Sequence, residues 1–164
     1  MNKIALFGAL ASLAGCASTT TIPISNDVVQ INTSAAPLCG GNGARKVAVQ
    51  MASIETIKRG YDKFIVVGGG HENNTGVVGY TPQQSYTTGS VNGNLYGNSY
   101  SAYGNSQTTT YGGQPIIAGS HDQALTIKMF RDSDPAGANA ISARKQLGPD
   151  WQKTIESGGP KTCG

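Results

Sequence analysis

The chain has 164 residues, a formal charge of +3 and charged side chains at 13%, against roughly 25% in ordinary globular domains. Such a length suits one domain with a modest core. A balance this close to neutral leaves no electrostatic case for a nucleic-acid partner.

The chain opens M-N-K, with Lys3 the only early charge, and continues I-A-L-F-G-A-L-A-S-L-A. That run is too short for a membrane-spanning helix, which needs roughly 20 residues. A basic start, an apolar middle and a small-residue end describe a secretory signal. It closes on Leu13-Ala14-Gly15-Cys16, which resembles a bacterial lipobox at all four positions. The resemblance implies a diacylglyceryl group on the Cys16 thiol, cleavage before it and acylation of the new amine. The mature protein would then sit on a membrane without crossing it, since two or more acyl chains hold stably where one is marginal. Ala17 stands where enterobacterial-type lipoproteins kept at the inner membrane carry Asp. The resemblance therefore implies the outer membrane, on its periplasmic or its surface side.

If lipid consumes Cys16, Cys39 and Cys163 remain. Beyond the inner membrane the compartment is oxidising, so an even remainder reads as a disulfide. It would pin the tail G-G-P-K-T-C-G and close a loop worth about 4–5 kcal/mol in the chain-entropy model. Free thiols and metal ligands are the alternatives, and the absence of a nearby CxxC counts against zinc.

Residues 17–26, A-S-T-T-T-I-P-I-S-N, read as a short tether. Val28, Val29, Ile31 and Thr33 are β-branched and predict a first strand. In G-N-G-A-R-K-V-A-V-Q-M-A-S-I-E-T-I-K-R-G, Ala44, Val47, Met51, Ile54 and Ile57 recur at helical spacing. Asn42 is the predicted N-cap and Gly60 the predicted left-handed stop. Arg45 and Lys46, in the first turn, read as solvated charge, with a basic spot facing anionic headgroups as the sharper alternative. Phe64, Ile65, Val66 and Val67 form one apolar run, predicting a strand buried on nearly both faces. Strand, helix and strand in this order describe a βαβ-like unit. Residues 77–80 predict another short strand.

Residues 73–120 contain no Asp, Glu, Lys or Arg but six of the seven tyrosines, and Y-G-N-S occurs at 96–99 and again at 103–106. So few aliphatic residues offer little burial against chain entropy, yet Tyr and Thr favour strands. Val91-Asn92-Gly93-Asn94 carries the Asn-Gly signal of a tight hairpin. The expectation is a long polar hairpin or partly ordered loop projecting from the core. Beyond it, Leu125, Ile127 and Met129 alternate with Thr126 and Lys128, the pattern of a half-buried strand. Asp134 and Pro135 start a predicted helix that Gly148 and Pro149 stop. D-W-Q-K-T-I-E predicts a last helix whose Trp151 packs on the sheet.

Three patterns invite chemistry. His71-Glu72 and His121-Asp122 offer ligand types for zinc or copper. Neighbours on an extended chain point to opposite faces, so each pair supplies one ligand at most. No metal and no cofactor is expected. Ser120-His121-Asp122 has the letters of a hydrolase triad, but a triad converges from separate positions and no G-x-S-x-G elbow is present. Gly68-Gly69-Gly70 lacks the helix that a phosphate-binding turn must precede. The better candidate surface is Tyr86, Tyr96, Tyr100, Tyr103 and Tyr111 among small polar neighbours, because Tyr supplies contact area at low entropic cost.

From Cys39 onward, the helix entering R-G-Y-D-K-F-I-V-V-G-G, the Tyr/Gly/Thr-rich middle and G-G-Q-P-I-I-A-G-S-H-D-Q resemble a group of small proteobacterial outer-membrane lipoproteins. The resemblance implies an envelope location and a small α+β domain, and it brings no catalytic residues. The expected organisation is a signal at 1–15, a tether at 16–26 and one α+β domain at 27–164. In that domain about four strands pack on one long helix and C-terminal helices. The expected role is a non-catalytic envelope binding or structural module, with an envelope protein or glycan as partner. The alternative is a surface protein of adhesion or self-association working through the tyrosines.

Overall fold

The computed structural model describes residues 16–163, so the signal read at 1–15 lies outside the described residues. In chain order the elements are β1 (Ala17–Pro23), β2 (Val28–Ala35), α1 (Gly40–Lys58), β3 (Lys63–Asn73), β4 (Gly76–Tyr80), β5 (Gln84–Tyr96), β6 (Ser99–Tyr111), β7 (Pro115–Ala118), β8 (His121–Phe130), β9 (Ile141–Ser142), α2 (Ala143–Leu147) and α3 (Trp151–Glu156). The fold is α+β. Residues 16–75 and 119–163 form one compact unit, and Gly76–Ala118 forms a second.

The first unit holds an antiparallel five-stranded sheet in the order β1-β2-β8-β3-β9. β2 and β3 both run antiparallel to β8, so they are parallel to each other with β8 between them. The βαβ-like unit is therefore a split one. Alternation sets the core: Val29, Ile31, Thr33 and Ala35 of β2 and Leu125, Ile127 and Met129 of β8 are buried on one face. Phe64 of β3 and Ala52 of α1 close the same cluster.

Of the α1 face predicted from Ala44, Val47, Met51, Ile54 and Ile57, Ala44, Val47 and Ile54 are buried and Met51 and Ile57 half-buried against the core, with Ala48, Ala52, Ser53 and Thr56 buried beside them. The two buried hydroxyls bond back to carbonyls one turn earlier, Ser53 Oγ to Val49 O at 3.0 Å and Thr56 Oγ1 to Ala52 O at 2.7 Å. This leaves no buried donor unpaired on that face. The helix ends as predicted at Gly60 (φ +80°). There Gly60 N donates to Ile57 O and Tyr61 N to Thr56 O, each at 3.0 Å, the two bonds of a Schellman motif. Its start differs from expectation. A 3-10 turn at Pro37–Cys39 runs straight into the helix, and Asn42 lies inside the first turn instead of capping it.

Four further expectations are corrected. The predicted tether is strand β1, paired with β2 from Ala17 to Pro23, because its Thr-rich run has a free strand edge within reach. Of the run at 64–67 only Phe64 is buried; Val66 and Val67 are 45% and 54% exposed, beside a bulge between Val66 and Gly68. The helix predicted after Asp134 is broken. Asp134 does cap, its Oδ1 accepting from Ala136 N at 3.0 Å, but only one 3-10 turn follows. Gly137 then presses so close to Phe130 that a Cβ would sit 2.6 Å from the Phe130 Cβ. Ile141 and Ser142 leave helical geometry to pair with Phe64 and Lys63. Finally, Trp151 meets the Arg144 guanidinium at 5.5 Å, in a helix whose neighbours are α1 and α2 instead of the sheet.

The second unit is a single excursion of the chain between β3 and β8. Within it β4 pairs with β7 and β5 pairs with β6, both antiparallel. No helix of the described residues is long and apolar enough to cross a membrane.

Candidate functional site

The register of β3 on β8 sets Glu72 opposite Asp122, His71 opposite Gln123 and Asn73 opposite His121. Alternation then splits each His–carboxylate pair across the sheet, as its spacing requires. On the helix side the His71 and His121 rings stack, with centroids 6.1 Å apart and planes 7° from parallel. On the open side the two carboxylates face each other across the strands. Among the described residues no three of His, Cys, Asp or Glu converge as a metal site would require. The Ser120 hydroxyl donates directly to Asp122 Oδ2 at 3.1 Å, with no imidazole between them, so those three neighbours do not assemble a triad.

The carboxylates end a trough on the open face of the sheet, of about 440 Å³. Two rungs build it. One runs Ser18, Ser34, Asp122, Glu72 across β1, β2, β8 and β3; the next runs Thr20, Asn32, Ala124, Gly70. Ala124 and Gly70 leave the floor bare between polar walls. The Ser34 hydroxyl, then the Asn74 amide, hold the Asp122 carboxyl below the usual carboxylate range. Burial pulls the other way, while the Ser120 hydroxyl and His121 add to the lowering. The trough is an acceptor-rich surface suited to a ligand with several donors. The sequence pattern conceals it, because Ser18 and Thr20 lie in a run that reads as a tether. Asn32 and Ser34 stand on the wet face of β2, but nothing local names β8 as its neighbour.

The tyrosine segment takes a different form. β5 and β6 pair through an unbroken register from Gln84–Tyr111 to Tyr96–Ser99, and every residue of both 13-residue strands is exposed. Register places Tyr86, Tyr96, Tyr103 and Tyr111 on one face, and Tyr100 on the other with Val91, Leu95 and Ala102. The five tyrosines are each 66–78% exposed. Hydroxyl pairs tie the rungs Ser85–Thr110 at 3.1 Å and Thr87–Thr108 at 2.8 Å.

The turn is not at Asn92-Gly93. It lies at Gly97-Asn98, where Gly97 (φ +58°) takes the positive φ and Asn98 does not, the pattern of a type II′ hairpin turn. Asn92-Gly93 is strand because the Tyr100 ring lies over Gly93, with its Cζ 2.7 Å from where a Cβ would stand. A bare backbone covered by an aromatic ring is a strand-stabilising pair.

Of the remaining predicted positions, Cys39 and Cys163 form the disulfide, with Cα atoms 5.5 Å apart. Cys16 is exposed and bridges to Thr162. Beside it Ala17 N donates to Lys161 O and Ala36 N to Cys16 O, each at 3.0 Å. Comparison with known proteins finds no matching family model, curated protein or solved structure.

Proposed function

We propose that this chain is a lipid-anchored, non-catalytic module of the bacterial outer membrane, in which the disulfide-closed unit is the platform and the β5–β6 ribbon is the binding element. The observation that carries this is the ribbon itself: two 13-residue strands fully paired, with no residue buried. A lone two-stranded hairpin is marginal in water, and its five exposed tyrosines are suited to contact with a protein or a glycan. The Leu13-Ala14-Gly15-Cys16 resemblance to a lipobox supports the anchor, and a disulfide fits an oxidising compartment. Because β1 starts at Ala17, lipid on Cys16 would attach to the sheet with no slack chain between them.

The test uses two variants of the full precursor in cells. Replacing residues 84–111 by a short Gly-Asn turn is expected to leave the platform's melting temperature unchanged and to abolish in-cell crosslinks; undiminished crosslinking rejects the ribbon as binding element. Cys16→Ser is expected to move the protein from the envelope to the soluble fraction, and a variant that stays in the envelope at full yield rejects the anchor.

A further inference from the structure

The ribbon lacks the devices by which exposed strands avoid one another. Natural sheet edges are blunted by Lys, by Pro, by bulges or by a covering loop. Residues 73–120 carry no charge, and no Pro falls between Pro82 and Pro115. The β5–β6 register has no bulge, whereas β3–β8 and β4–β7 each have one. Each strand of this two-stranded sheet therefore keeps an outer edge that pairs with no strand among the described residues. At 13 residues such an edge is about 44 Å long.

We propose that the ribbon's partner is the ribbon of a second copy of this chain, joined edge to edge through backbone hydrogen bonds. The inference rests on the reading of the ribbon as the binding element and names what it binds. Charge decides between a copy and a different protein. Identical strands bring like residues together all along a parallel pairing and near the two-fold axis of an antiparallel one, and a charged side chain there would repel its own copy. A strand that is uncharged throughout is free of that penalty, while stacked Asn, Gln and Tyr side chains gain from repetition. A partner chosen by opposite charge would find nothing here to read. A glycan would use the tyrosine face and has no use for unprotected edges. Two ribbons make four strands, beyond the lone two-stranded hairpin that is marginal in water.

Gln107, in the middle third of β6 and opposite Thr88, is the position for a test. The full mature chain with Cys16→Ser is examined by sedimentation velocity over a range of concentrations, alone and with Gln107→Lys, Gln107→Glu or Gln107→Met. Wild type and Gln107→Met should self-associate. Each charged variant alone should associate about fivefold more weakly at low salt, with the loss reversed as salt is raised. An equimolar Lys and Glu mixture should recover wild-type association, which a misfolded ribbon would not do. Wild type that stays monomeric, charged variants that associate like wild type, or a mixture that does not recover each overturns the proposal. If the wild type is monomeric but deletion of 84–111 still abolishes crosslinking in cells, the partner is of another class and the module reading stands. If deletion changes nothing either, both fall.

Discussion

Asp122 owes its state to groups from separate parts of the chain: Ser34 on β2, and Asn74 and Ser120 on the segments flanking β3 and β8. Its carboxyl titrates below the ordinary value of about 3.9. The ionised form therefore contributes stability that is fully present above that pH and is lost as pH falls through the lowered native value. Asp122→Asn should flatten this part of the acid limb in urea unfolding curves taken from pH 5 downward. An acid limb identical to wild type would show that the three hydrogen bonds are not felt in stability. Glu72 stands opposite it on β3. Their meeting is not visible in the letters H-E and H-D. The letters foretold the split of each pair across the sheet because the two-residue period of a strand is local; the facing of Glu72 and Asp122 depended on a pairing 50 positions apart.

At the scale of elements, Y-G-N-S is informative because it occurs twice. In its first occurrence the four residues are the hairpin turn, and in its second they are strand. Local preference is the same in both, so the choice is made by the register the whole ribbon can adopt. Turning at Gly97-Asn98 aligns Ser85 with Thr110, Thr87 with Thr108 and Gly93 beside Tyr100. Gly97→Ala places a Cβ at φ +58°, a strain of roughly 1–2 kcal/mol. It should speed amide exchange along β5 and β6 while leaving the five-stranded sheet unchanged. Gly104→Ala, in the second occurrence and without a positive φ, should change exchange far less. Equal effects at both glycines would contradict this placement of the turn. Elements with strong local patterns, such as α1 and the buried alternation of β8, were legible. β1, β9 and the interrupted helix were not, because a neighbouring strand overrode weak local preference in each.

For the whole molecule the decisive feature is closure. The Cys39–Cys163 bond spans 124 residues, and the adjoining Cys16–Thr162 bridge and Ala17–Lys161 hydrogen bond tie the start of β1 to the tail. Reduction, or the Cys39→Ser/Cys163→Ser variant, should lower the unfolding free energy by about 4–5 kcal/mol in the chain-entropy model, measured from denaturant midpoints. The amide of Ala17 should lose its protection at the same time. Unchanged stability on reduction would mean that the tail is held by packing alone.

Local pattern and composition carry the α+β class, the main helix with its glycine stop and the uncharged character of residues 73–120, and they favour a Cys39–Cys163 bond over free thiols or metal ligands. Each follows from periodicity, counting or composition, all of which act over short stretches or over no distance at all. That residues 17–23 are an edge strand, that two carboxylates meet over a bare trough, and where the ribbon turns come from the assembled fold. Those outcomes depend on which strands become neighbours and in what register, a contest between distant segments that no local preference resolves.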